Sequence, residues 1–360
     1  METLDKGYRM EERLRNYFLD LGFFVVRGIR FTYESFEITD VDLWLYNRPS
    51  SITRERIIVD IKSKKTPQAI ERIFWTKGLM EALNLDDCLV ATTEKRESVR
   101  EFGLKNGVTV LDGQFLSKLR ELRPERLVEE EFLTIIKQAE DPKFKDDWKK
   151  RFETSKAILI GQMDYSGCIA LLSNLKYYME QAIVNKLKST EACRMVYLLL
   201  SYFLISLDYV LKELAFLDSN ERAQRLSEGF KFGSLGKAGI ERTLDLAVRI
   251  SGQSNVVRNN FLKLYDSIPV DILKDFFSKN ENSKKMFHQS KGLEAFAYNR
   301  IFVSPNELDS EFKGLISIIL DYHSIDRSKF FNSVSSIRNT PQLDLKVLDP
   351  SPKRNSDKVE

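Results

Sequence analysis

Hydrophobic and polar positions in the first third of the chain switch repeatedly between two periods. "YRMEERLRNYFLDLG" sets Met10, Leu14, Phe18 and Leu21 at helical spacing, and Gly22 supplies a stop. "FFVVRGIRF" reads as a strand. "FEITDVDLWLY" is a strand of strong alternation, expected to set Val41, Leu43 and Leu45 on one face and Asp40, Asp42 and Trp44 on the other. The polar turn "NRPSSITRER", punctuated by Pro49, leads into "RIIVDIKSKK". There Ile57, Val59 and Ile61 point one way and Ile58, Asp60 and Lys62 the other. "TPQAIERIFWTKGLMEALNL" is a helix with Pro67 in its first turn, and "DCLVATT" a short buried strand. "EKRESVREFGLKNG" is a helix ending at Gly107, and "VTVLD" a last strand. Helix, three strands, helix, strand, helix, strand predicts an α/β unit over residues 1–120, a central mixed sheet flanked by helices.

After Arg120 the strand-like runs fade. Helical patterns such as "EEEFLTIIKQAE", "ALLSNLKYYMEQAIVNKL", "AGIERTLDLAVRI" and "EFKGLISIILDYH" predict an all-α domain over residues 121–337, with Pro124 in the seam. Tyr177, Tyr178, Tyr202 and Phe203 fall on helical core stripes. The polar, proline-containing stretch 338–360 is expected to be a flexible tail or an interaction segment. The most apolar run, Met195 to Leu207, meets Asp208, Lys212 and Glu213, short of the roughly 20 apolar residues of a membrane span. It is expected to be a buried core helix, and no membrane association is expected. "GSLGKAG", Gly233 to Gly239, lacks the spacing and the Ser/Thr of a phosphate loop, and is expected to join two helices. No repeat of solenoid period is present.

Composition changes this picture little. The 360 residues are 42% hydrophobic and 30% charged, with a formal net charge of +3, so a nucleic-acid surface has to be a local patch. Cys88, Cys168 and Cys193 share no ligand spacing and suit small core positions in a reducing cytoplasm; no signal peptide is read at the N-terminus, where charge begins at Glu2. His288 and His323, isolated in sequence, argue against a zinc site or a Ser-His-Asp enzyme.

The candidate chemistry lies on the two strands that carry carboxylates. A short loop joins them, so they are expected to form a hairpin on which Asp42 and Asp60 converge. Two carboxylates close together repel unless a cation lies between them, and oxygen ligands of this kind suit Mg²⁺, with Mn²⁺ as a substitute. Lys62 is placed to act on an attacking water or a developing phosphorane charge. Glu11, at the edge of the first helix's apolar stripe, offers a third carboxylate, and Asp40 shares Asp42's face as an alternative ligand. Lys64, Lys65, Arg72 and Lys77 belong to a basic stretch suited to a nucleic-acid backbone. Plainer readings stand beside these: Glu11 as a solvated neighbour of Glu12, Asp60 and Lys62 as a surface ion pair of small energetic worth, and the basic stretch as a solvated face.

The sequence from "KGYRMEERL" through "DVDLWLY" to "IIVDIKSKK" resembles the PD-(D/E)XK nuclease superfamily, the restriction-endonuclease-like fold, over roughly residues 5–118. Glu11 matches that family's helix glutamate, Asp42 its strand aspartate, and Asp60-Ile61-Lys62 its (D/E)-x-K. No proline precedes Asp42, and the Q-x-x-x-Y motif of several branches is missing from "ERIFWTKGL". The resemblance implies a Mg²⁺-dependent nuclease acting on DNA, in bacterial defence or restriction. Asp42, Asp60 and Glu11 are then the metal ligands and Lys62 the catalytic lysine. The helical half is expected to select targets, oligomerise or dock a partner protein. The alternatives are a non-catalytic nucleic-acid-binding or scaffold protein, and a nuclease gated by a partner.

Overall fold

A computed structural model describes residues 6–33, 36–63, 68–140, 147–251 and 254–335. Lys64, Lys65, Pro67 and the tail 338–360 lie outside the described residues. Helix α1 (Lys6–Asp20) is followed by β1 (Phe24–Tyr33), β2 (Phe36–Asn47) and β3 (Glu55–Lys62). Then come α2 (Ala69–Ala82), β4 (Asp87–Thr92), α3 (Glu97–Lys105), β5 (Thr109–Leu111) and the short α4 (Gly113–Ser117). The strands form one five-stranded sheet in the order β1-β2-β3-β4-β5. The first two neighbouring pairs are antiparallel and the last two parallel, the sense that βα connections through α2 and α3 allow.

The sheet is buried on both faces, as its runs of Val, Ile and Leu require. Leu14 and Phe18 of α1 pack with Val25, Leu43, Leu45, Ile57, Val59 and Ile61 on one face. Leu21, expected on the same stripe, lies beyond the end of α1 and is exposed. The other face, with Phe24, Val26, Trp44, Tyr46 and Ile58, belongs to a larger core. That core takes in Ile73 of α2 and Val99 of α3, and continues without a break into the helical half.

The helical half begins with α5 (Glu129–Ala139), α6 (Trp148–Gly161), α7 (Tyr165–Val184), α8 (Ser189–Leu211) and α9 (Ser219–Phe232). It continues with α10 (Gly236–Ser251), α11 (Ser254–Ser267), α12 (Val270–Phe277), α13 (Asn280–Tyr298), α14 (Ser310–Tyr322) and α15 (Arg327–Ser335). Helix α8 carries the Met195–Leu207 run and packs chiefly against α7 and α13, with every residue from Ala192 to Asp208 buried. It is the one helix among the described residues long and apolar enough to cross a membrane, and most of it is covered by protein. The three cysteines are free and buried, and Gly233–Leu235 is a helical turn between α9 and α10.

Asp208, which the hydropathy pattern places at the polar end of α8, is buried. The Tyr46 hydroxyl donates to it at 2.6 Å, and the guanidinium groups of Arg48 and Arg54 pair with it at 2.9 and 2.5 Å. The β2–β3 turn is thereby pinned to α8. A second buried cluster ties α1 to the helices. Arg15 lies 2.9 Å from Glu294 and 3.2 Å from Glu129, against the ring of Tyr298, while Lys156 pairs with Glu129 at 2.8 Å. Buried carboxylates are tolerable only when paired this way. Arg15→Leu leaves Glu12, Glu129 and Glu294 short of a cation, and is expected to lower unfolding stability by about 3–5 kcal/mol in denaturant titration; a loss below about 1 kcal/mol, the range of exposed ion pairs, would contradict the arrangement.

Candidate active site

Strands β2 and β3 are paired from Asn47 opposite Glu55 to Leu43 opposite Val59. One step further the same register sets Asp42 across from Asp60, and there the strands part. The Ile61 N–H donates to the Asp42 carboxylate, at 2.6 Å from Oδ2, so the fork is closed by a side chain. β3 continues alongside β4 as far as Lys62 opposite Thr92, which keeps the Asp60-Ile61-Lys62 segment extended.

The β1–β2 ribbon turns over beside Asp42. Val26 and Ile29, three residues apart, both enter the larger core, as do their partners Trp44 and Val41. Strict alternation forbids this, so the expectation that Val41 faces the same way as Leu43 and Leu45 fails here. The cause is Gly28, whose φ of +61° sits in the left-handed region. The unbroken register on either side puts it across from Asp42. A residue with a β-carbon pays roughly 1–2 kcal/mol for that conformation, and glycine does not. Asp40, the alternative ligand, is exposed and lies 3.9 Å from Arg30 of β1.

Each candidate carboxylate has a partner. Asp60 is forked by Arg72 of α2, with Nε 2.8 Å from Oδ2 and a terminal nitrogen on Oδ1. The Lys62 ammonium lies 3.9 Å from Asp60 Oδ1. Glu11 Oε2 accepts from Arg27 Nε at 2.7 Å. Arg27 is itself buried, and also donates to Glu12 at 2.9 Å and to Glu130 of α5 at 2.7 Å. Lys77 donates to the Asn106 carbonyl at the end of α3, a structural bond.

The charges form one field. The Asp42 carboxyl is pushed up to about 7, mainly by burial; the Ile61 N–H and Lys62 oppose this, and the negative charges of Asp60 and Glu11 add to it. Burial also raises Glu11, against the pull of Arg27. Asp42, Asp60 and Lys62 are gathered at the fork, while Glu11 sits with Arg27 on the α1 side, near enough for its charge to be felt. A carboxyl that changes charge near neutrality can exchange a proton there, and one crowded by like charges favours a bound cation.

Among the described residues no group of three His, Cys, Asp or Glu side chains is gathered closely enough to hold a metal ion. Asp42 and Asp60 make a two-carboxylate donor set, which suits Mg²⁺ because that ion takes one or two carboxylates and keeps several waters. Glu11, expected as a third ligand, is instead held by Arg27 beside the set. Arg27 is the residue that the sequence reading passed over. An arginine inside the apolar run "FFVVRGIRF" was the available signal, since a charge in a buried strand requires partners.

No protein-family model, curated protein or solved structure matches the chain.

The raised Asp42 carboxyl has a consequence for stability. Between its ordinary value of 3.8 and about 7 the folded protein holds a proton that the unfolded chain has released, so stability falls as pH rises through this window. In EDTA, Asp42→Asn should be more stable than the parent above pH 7, by about 2–4 kcal/mol, with the gap closing toward pH 4. Denaturant titrations across that range check this; a gap that is absent or widens in acid contradicts the burial of a crowded carboxyl.

Proposed function

We propose that the chain is a metal-dependent nuclease that hydrolyses phosphodiester bonds in DNA, built on the PD-(D/E)XK plan. The observation that carries this reading is the fork itself: Asp42 and Asp60 meet where β2 and β3 part, with Lys62 beside them and Asp42 raised to about 7 by burial and like charge. The chain order supports it, since a helix, an antiparallel three-stranded unit and a helix crossing to a parallel fourth strand carry the glutamate, aspartate and D-x-K in the expected places.

In this reading Asp42 and Asp60 hold Mg²⁺, which supplies Lewis acidity toward a phosphate oxygen and lowers the pKa of a bound water. The chain's own groups do the rest. Lys62 places an ammonium where negative charge develops and orients the attacking water. The Ile61 N–H fixes the Asp42 carboxylate, and Arg27 fixes Glu11 at the edge of the site. Glu11 assists through water.

The second reading, a nuclease held silent until a substrate or partner arrives, is favoured by the Arg72 fork. That guanidinium occupies both Asp60 oxygens, and a ligand for a cation has to be released from it first.

Incubation of the full chain with plasmid, linear duplex and single-stranded DNA in Mg²⁺, Mn²⁺ or EDTA tests the proposal. Metal-dependent cleavage is expected, with Asp60→Ala and Lys62→Ala each reducing it by at least about a hundredfold, on the scale of a lost charge-stabilising group, while folding is preserved. Full activity of Asp60→Ala in Mg²⁺ would sink the assignment. Tight DNA binding without cleavage in any divalent ion would favour a non-catalytic binding module.

A further inference from the structure

Two arginines grip the candidate carboxylates, and each lies against an exposed aromatic ring. The Arg72 guanidinium that forks Asp60 is centred 5.8 Å from the Trp75 ring, and the Arg27 guanidinium that holds Glu11 is 5.1 Å from the Tyr8 ring. The two arginines differ in freedom. Arg27 is 3% exposed and anchored to three glutamates, so it is locked. Arg72 is 24% exposed and sits on the rim of α2, whose Ala69, Ile73 and Thr76 face inward. Trp75 follows Arg72 by three residues, on the same rim. Trp44 and Trp148 are wholly buried, whereas Trp75 is 45% exposed beside a charged site. Its ring adds little to the core there, but it offers a flat π-face beside the Arg72 guanidinium, a group suited to binding phosphate.

We propose that Arg72 and Trp75 form a substrate clamp that selects nucleic-acid strands with unpaired bases. This rests on the nuclease reading and names its substrate class. In the resting protein Arg72 neutralises Asp60. An arriving phosphodiester competes for the guanidinium, which binds phosphate as well as carboxylate in bidentate fashion. Arg72 then moves to the strand and Asp60 is released to bind the cation. Trp75, one helical turn away, stacks on a neighbouring base. Stacking needs a free base face, and in a duplex both faces are covered by neighbours. The preferred substrate is therefore single-stranded, a flap or a frayed end. The clamp also couples substrate arrival to the completion of the cation site.

Trp75 makes the test direct, because the other two tryptophans are buried and do not meet a ligand. The full chain is titrated in Ca²⁺ with oligothymidylate and with a blunt hairpin duplex of equal length, following intrinsic tryptophan emission and its quenching by iodide. The single strand should quench Trp75, shield it from iodide and bind more tightly than the duplex. Trp75→Ala should weaken single-strand binding about tenfold, and Trp75→Phe should retain most of it. Unchanged melting of these surface variants verifies the fold. Equal affinity for the duplex, or unaltered binding by Trp75→Ala, overturns the clamp. If the parent and Trp75→Ala also cleave DNA equally in Mg²⁺, the nuclease reading survives that loss. Failure of both to bind or cleave any nucleic acid removes the clamp and the nuclease reading together.

Discussion

Residues directly opposite one another in an antiparallel pair hold their β-carbons about 5 Å apart on one face, so two facing carboxylates crowd each other unless other groups meet their charge. In this protein the ladder between β2 and β3 ends at Leu43 and Val59, and the Ile61 N–H passes to the Asp42 carboxylate. Most of what surrounds the site follows from that one substitution of a side chain for a backbone partner. It places Asp42 in the mouth of the fork. It also buries a carboxyl among like charges, which is the source of its raised pKa. The turn-over at Gly28 is a separate feature of β1, on the other side of Asp42 from β3.

The fork is anchored through the rest of the fold. The sheet face of Trp44 and Ile58 shares its core with α8, and Asp208 at the end of that helix collects Tyr46, Arg48 and Arg54 from the β2–β3 turn. Helix α1 is tied to α5, α6 and α13 by the Arg15–Glu129–Glu294 cluster, and Arg27 links that cluster through Glu12 to Glu11. The helical half therefore positions the glutamate beside the site. Buried ion pairs contribute little net stability when hydrophobic groups could replace them, but they fix geometry closely, since each charge tolerates only a paired position. Glu11 is held by a buried arginine and Asp60 by a partly exposed one on the rim of α2.

Much of this was legible in the residue pattern. Alternation and helical spacing locate all five strands and the helices between them, because each element's burial is encoded by its own neighbours. The D-x-K on β3 and the aspartate on β2 were visible as charges in strands otherwise built for burial. Other features were not readable, for physical reasons. Val41 departs from its expected face because of Gly28, on the partner strand. Asp208 resembles the polar stop of a hydrophobic run, and its three partners lie some 150 residues earlier in the chain. Glu12 and Arg15 resemble an exposed helix face until α5 and α13 fold over them. The hold of Arg72 on Asp60 depends on how α2 lies across the sheet, and residue spacing does not encode that.

The most direct measurement is a crystal structure of the full chain bound to oligothymidylate and soaked in Mn²⁺, with anomalous scattering recorded at the manganese edge. If Asp42 and Asp60 are ligands, a single strong peak will lie between their carboxylates, with Arg72 withdrawn from Asp60. A fork without anomalous density at saturating Mn²⁺, with Arg72 still on Asp60, would contradict a cation-dependent site at this position.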